Sequence, residues 1–233
     1  MLEDLNQLQK TIDKIVADML AANIAQKKTY TDNRVEKEYW NLITPDAFDK
    51  KLIVIAVIGY PERAGIWSNT LLRQSRIAET SMEPYFRQFS ESDIGLVAID
   101  PNCFEPDIEG DTFIYQLERV IADIPANTKI GLLGFSMGGK ILVEFLQQRP
   151  ELLTRIAGLA LIDPTLPNRL RVGNIRPLLD NDTLLIASEG EVSPGEISSM
   201  LLRIPKISFP GIHGEMPNKA LKEVIKFYEQ RSL

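Results

Sequence analysis

The stretch of sequence that decides the fold reads GLLGFSMGGK, residues 131–140. It places one hydroxyl, Ser136, among glycines, directly after an apolar run that predicts a strand and directly before a segment that predicts a helix. Residues 134–138 fit the pattern G-x-S-x-G, in which a sharp strand-to-helix turn presents the serine. Side chains at positions 134 and 138 would collide with neighbouring backbone in such a turn, so glycine is needed at both. The sequence therefore predicts that Ser136 lies in a tight, strained turn.

Apolar runs rich in β-branched residues alternate with helical segments on both sides of this turn. Strands are predicted at 52–58, 94–99, 129–134, 156–162, 183–187 and 206–209, and helices at 67–89, 111–123, 138–153, 195–203 and 218–231. Near-continuous apolar runs are typical of strands covered on both faces, as in a parallel sheet with crossover helices. We expect Asn218 to be the N-cap of the last helix. The fold class is α/β, with a mostly parallel central sheet flanked by helices.

The N-terminal segment, residues 1–28, has a different pattern. Apolar residues recur at steps of three and four, which predicts an amphipathic helix; they are Leu5, Leu8, Ile12, Ile15, Met19 and Ala22. We expect the apolar face to pack on its own domain, and a second interpretation is that it binds a protein partner or a second copy of the chain. A short strand is predicted at 35–40.

Composition limits the class of protein. The 233 residues are 44% hydrophobic and 25% charged, which suits a single domain over residues 1–233. The balance of 26 basic to 32 acidic residues gives a net charge of −6, which argues against a nucleic-acid partner. The only cysteine, Cys103, cannot form an intrachain disulfide, and no apolar stretch approaches the ~20 residues of a transmembrane helix. The acidic N-terminus does not resemble a secretory signal, so we expect a cytoplasmic protein.

A serine hydroxyl becomes a nucleophile when a base takes its proton and an acid orients that base. His213 is the only histidine and follows the last predicted strand, so it is the candidate base. Three carboxylates that follow predicted strands are candidates for the acid. We favour Glu191, with Glu189 and Asp163 as alternatives, and each gives the chain order serine, acid, histidine.

Together these residues resemble the α/β-hydrolase superfamily over about residues 50–231. The resemblance implies the α/β-hydrolase fold and an oxyanion hole that includes an amide from the loop after an early strand. That loop reads VIGYPERAG, with Ile58 where the family often has histidine, so the implied oxyanion donors are the amides of Met137 and Tyr60. The insert at 165–182 is short, which implies a minimal cap.

The resemblance also implies an activity. It is that of a serine hydrolase, a carboxylesterase or thioesterase that cleaves a small-molecule acyl ester or thioester through an acyl-enzyme intermediate. No metal or organic cofactor is implied, since a single histidine excludes a histidine-rich metal site. Two alternatives remain open, because one fold serves many functions. One is a binding or scaffold protein without catalysis, and the other is non-hydrolytic chemistry, such as a lyase or perhydrolase reaction, by the same triad.

Overall fold

The central sheet is described by a computed structural model that covers residues 5–32, 36–59, 62–100, 111–165, 173–189, 204 and 206–232. Within these residues the sheet has eight strands in the order β1-β2-β4-β3-β5-β6-β7-β8. The strands are β1 Gln26–Asp32, β2 Lys37–Ile43, β3 Leu52–Val57, β4 Ile94–Ala98, β5 Lys129–Phe135, β6 Ile156–Ile162, β7 Thr183–Ser188 and β8 Lys206–Phe209. Strands β3 to β8 are parallel, and β2 pairs antiparallel with both β1 and β4.

Helices cover both faces of this sheet. They are α1 Leu5–Ala21, α2 Asn69–Arg73, α3 Ile77–Thr80, α4 Glu83–Ser90, α5 Asp111–Asp123, α6 Met137–Gln148, α7 Arg176–Asn181 and α8 Met216–Glu229. Strand β3 is buried along its whole length, and its side chains alternate between two cores. One core lies under α1, α4 and α8, and the other lies under α5, α6 and α7. The predicted α/β class with a mostly parallel sheet is confirmed.

The six predicted strands are confirmed, and the helical predictions differ in detail. The predicted helix 67–89 is divided into α2, α3 and α4, with Ser75 in a left-handed conformation between the first two (φ 61°). The predicted helix 195–203 lies outside the described residues. The N-cap prediction for Asn218 is wrong, because α8 begins at Met216. The Asn218 side chain instead donates hydrogen bonds to the carbonyls of Ala78 (3.0 Å) and Ser81 (3.1 Å).

The N-terminal helix α1 packs on the chain's own core. The buried residues are Leu8, Ile12, Ile15, Val16 and Met19. Leu5, by contrast, is 70% exposed. The apolar face of α1 therefore packs on the chain's own core. Binding of a protein partner or of a second copy of the chain through the N-terminal helix stays a prediction. Among the described helices, α1 included, none has the length and apolar character needed to cross a membrane.

Candidate active site

The turn between β5 and α6 carries Ser136 in a strained backbone conformation (φ 54°, ψ −123°). Glycine is required on both sides, as the sequence predicts. A Cβ on Gly138 would lie 2.0 Å from the carbonyl oxygen of Val57, and one on Gly134 would lie 2.7 Å from the Cα of Gly139. A residue in such a conformation costs about 1–3 kcal/mol and persists only where its surroundings hold it.

Hydrogen bonds from the end of β6 hold this turn. The Ser136 amide donates to the carbonyl of Ile162 (3.1 Å), and the Ser136 carbonyl accepts from the amide of Thr165 (2.9 Å). The Ser136 side chain faces the chain at Gly59, where an added Cβ would lie 3.6 Å from the serine Oγ and 3.6 Å from the Met137 amide nitrogen. The hydroxyl and one of the two predicted oxyanion donors therefore border the same backbone. The other donor, Tyr60, lies outside the described residues.

The imidazole of His213 lies at the start of a 3₁₀ turn, His213–Glu215, between β8 and α8. Its ring stacks on the ring of Phe135, the residue directly before Ser136, with centroids 4.7 Å apart and planes 25° apart. Its Nδ1 lies 3.2 Å from the Oδ2 of Asp163. The structure thus brings the only histidine of the sequence next to the turn that carries Ser136 and pairs it with a carboxylate.

Asp163 follows β6 directly and is 3% exposed. Its amide donates to the carbonyl of Ile186 (2.8 Å), and its Oδ1 accepts a hydrogen bond from the amide of Ser188 (2.7 Å). One carboxylate oxygen is therefore fixed by the backbone of β7, while the other faces His213. A carboxylate held in this way can fix the tautomer and orientation of an imidazole.

The structure describes only one of the other two predicted acids. Glu189 is exposed just beyond β7, where its amide donates to the carbonyl of Phe209 (2.9 Å). Glu191, which we favoured from the sequence, lies outside the described residues. Of the two candidate acids that the structure describes, Asp163 is the one that lies against the imidazole.

A further carboxyl group lies near His213, and no pattern in the sequence indicates it. Glu62, in the loop after β3, accepts a hydrogen bond from the amide of Asn69 (3.4 Å). Burial raises the pKa of Glu62, while that amide and the nearby His213 act to lower it. The next residue, Arg63, pairs with the buried Asp100 at the end of β4 (Nη2–Oδ2 2.8 Å). Among the described residues, no group of three or more histidine, cysteine or acidic side chains is arranged so that it could hold a metal ion.

Comparison with solved structures gives the class of fold. An S-formylglutathione hydrolase from Agrobacterium tumefaciens matches with a TM-score of 0.60 and 12% identity, over 90% of this chain and 95% of that one. The carboxylesterase EstE1, cloned from a metagenomic library, matches with a TM-score of 0.54 and 16% identity, over 97% of both chains. A thioesterase domain from the curacin biosynthetic pathway matches with a TM-score of 0.59 and 13% identity, over 88% of this chain and 99% of that one.

These similarities, with the strand order and the turn at Ser136, show that the chain has the α/β-hydrolase fold. No protein-family model matches the sequence, and no curated protein matches it significantly.

Proposed function

We propose that the protein is a serine hydrolase that cleaves carboxylic ester or thioester bonds, with Ser136 as nucleophile, His213 as base and Asp163 as the orienting acid. The observation that carries the proposal is the contact between Asp163 and the only imidazole of the chain, whose ring stacks directly beside the strained serine turn. The three residues occur in the chain order serine, acid, histidine that the fold uses.

The proposed reaction has two steps. His213 takes the proton of the Ser136 hydroxyl, and the oxygen attacks the acyl carbonyl while the Met137 amide, at the start of α6, binds the oxyanion. His213 then gives the proton to the leaving alcohol or thiol, which leaves an acyl group on Ser136. Water, deprotonated by His213, releases the carboxylic acid and restores the serine. Asp163 keeps its charge and stabilises the imidazolium in both steps.

Two exposed apolar side chains flank the reacting groups. Met137 follows the serine and is 40% exposed, and Ile212 precedes the histidine and is 43% exposed. We infer that an apolar acyl or alcohol group of the substrate packs against this pair. We propose carboxylesterase or thioesterase activity on such small molecules.

Labelling with a fluorophosphonate tests the nucleophile. We expect the intact protein to be labelled and Ser136→Ala to remain unlabelled, with Ser90→Ala, which removes an exposed hydroxyl from α4, labelled like the wild type. Equal labelling of wild type and Ser136→Ala would remove the assignment. A panel of acyl esters and thioesters of increasing chain length then defines the substrate class.

The same experiments distinguish the alternatives left open by the sequence. A folded wild-type protein that no probe labels would be a binding or scaffold protein with a hydrolase fold. Labelling without turnover of any ester or thioester would favour non-hydrolytic chemistry by the triad.

We also propose a cytoplasmic location, since a single cysteine suits a reducing compartment.

A further inference from the structure

Among the described residues, the contacts that hold the His213 imidazole are weak. One is the contact with Asp163, whose 3.2 Å lies at the long end of the hydrogen-bond range, and the other is stacking on Phe135. The His213 side chain is 41% exposed. The position of the ring therefore depends on how the turn itself is attached to the rest of the protein.

The turn lies against the segment between β3 and α4. A Cβ on Gly214 would lie 2.8 Å from the Oγ of Ser68, the N-cap of α2, and 3.0 Å from the Cγ of Leu71. The side chain of Asn218 reaches the same segment through its two hydrogen bonds, one to a carbonyl within α3 and one to the carbonyl just beyond α3. The backbone after β8 thus follows a surface made by α2 and α3.

A cluster of four charged side chains joins the two segments: Arg76, Glu79, Glu215 and Lys219, here called the Glu215 cluster. Glu215 lies two residues after His213 in the same 3₁₀ turn. One of its carboxylate oxygens pairs with the Nη2 of Arg76, between α2 and α3, and the other lies 2.7 Å from the Nζ of Lys219 on α8. Arg76 also pairs with Glu79 (3.2 Å).

The carboxylate at the centre of this cluster is well enclosed. The Glu215 side chain is 13% exposed, and hydrogen bonds from Lys219 and Arg76 lower its pKa to about 2. The group is therefore ionised at all pH values at which an esterase would work. Ion pairs of a charged group with two cations from different elements fix a position better than a single exposed pair does.

We propose that Glu215 is a positioning residue: through Arg76 and Lys219 it fixes the turn that holds the His213 imidazole against Asp163 and Phe135. Its effect on catalysis rests on the proposed function, while its effect on the placement of the imidazole does not. In Glu215→Gln one oxygen is retained and the amide nitrogen faces a cation, so one of the two attachments is lost.

The test compares Glu215→Gln with Glu118→Gln, which breaks a matched arginine pair with Arg149 between α5 and the end of α6. The first measurement is the NMR spectrum of the imidazole Cε1–H, which is assigned without ambiguity because the chain has one histidine. We expect Glu215→Gln to shift and broaden this resonance, and Glu118→Gln to leave it unchanged.

The second measurement is the rate of fluorophosphonate labelling. We expect Glu215→Gln to lower it on the order of tenfold to a hundredfold, the size of effect that a displacement of about 1 Å in a catalytic group has. Melting temperatures of both variants show that neither substitution unfolds the protein. The double variant with Arg76→Gln should label no more slowly than the slower single variant, because both substitutions break the same contact.

A wild-type imidazole resonance in Glu215→Gln, with labelling as fast as in Glu118→Gln, would overturn the proposal. If the wild-type protein itself is not labelled, the proposed function fails, and the NMR comparison alone still decides whether Glu215 positions the histidine.

Discussion

The assignment of Asp163 as the acid is best tested by Asp163→Asn. The effect of this substitution follows from two contacts of the carboxylate. Its Oδ1 accepts a hydrogen bond from the Ser188 amide (2.7 Å), and its Oδ2 lies 3.2 Å from the Nδ1 of His213. In the variant the asparagine oxygen must remain on the Ser188 amide, so its NH₂ group faces the imidazole. That group donates to Nδ1, and the imidazole proton moves to Nε2, the nitrogen that has to take the serine proton.

The expected loss of activity is therefore large. A triad whose histidine is held in the wrong tautomer loses about 10⁴ in kcat, which corresponds to about 5 kcal/mol of barrier. The loss of stability should be small, about 1 kcal/mol, because the bond to the Ser188 amide is kept and loses only its charge. The backbone is also retained, since position 163 has φ 39° and asparagine tolerates this region. Asp163→Ala, by contrast, leaves the buried Ser188 amide without this acceptor, which should cost about 1–3 kcal/mol.

The assay is the hydrolysis rate of the best ester in the panel, together with urea unfolding of each variant. Glu191→Gln and Glu189→Gln are the matched controls, since both remove a carboxylate that the sequence proposes for the same role. Turnover within tenfold of wild type in Asp163→Asn, together with a collapse of turnover in Glu191→Gln, would refute the assignment and return the acid to Glu191.

Three further predictions concern stability. Gly138→Ala should prevent folding or cost several kcal/mol, because its Cβ would lie 2.0 Å from the carbonyl oxygen of Val57, and far-ultraviolet circular dichroism of the purified variant checks this. Because folding lowers the pKa of Glu215 from 4.5 to about 2, its stabilisation should be complete above pH 4.5 and disappear as the pH falls to 2. The unfolding free energies of wild type and Glu215→Gln should thus differ by about 1 kcal/mol near neutral pH and converge in acid; a constant difference contradicts this. Met19→Ala on α1, where the side chain is 1% exposed, should cost about 2–5 kcal/mol in chemical unfolding, whereas an arm that only binds a partner would lose almost nothing.

The parallel strands β3 to β6 could be predicted because they are near-continuous apolar runs covered on both faces, as β3 shows with every residue buried. The short strand predicted at 35–40 corresponds to β2, Lys37–Ile43, but its hairpin partner β1 could not be predicted. Strand β1 reads QKKTYTD and buries only Tyr30 and Asp32, so its apolar signal is nearly absent. Its pairing with β2 is visible in the structure, where Tyr30 stacks on Tyr39 with centroids 5.3 Å apart.

The nucleophile turn and the histidine could be predicted because local rules determine them: glycines around a serine and a single imidazole after the last strand. Which carboxylate lies against His213 depends on how the loops fold in space, and local sequence patterns do not encode this. One signal did point to Asp163, an acid that directly ends the continuous apolar run IAGLALI and precedes Pro164. Glu62 and Glu215 have no such signal, because in the sequence both look like ordinary surface glutamates.

The end of β6 supports two of the proposed catalytic groups at once. Ile162 and Thr165 hold the backbone of Ser136, and Asp163 lies between them in the chain. One four-residue segment, 162–165, therefore holds the proposed nucleophile and contains the proposed acid. A design that builds these groups into another scaffold would have to include this segment as well as the serine turn. Local unfolding at this strand end would displace both groups together.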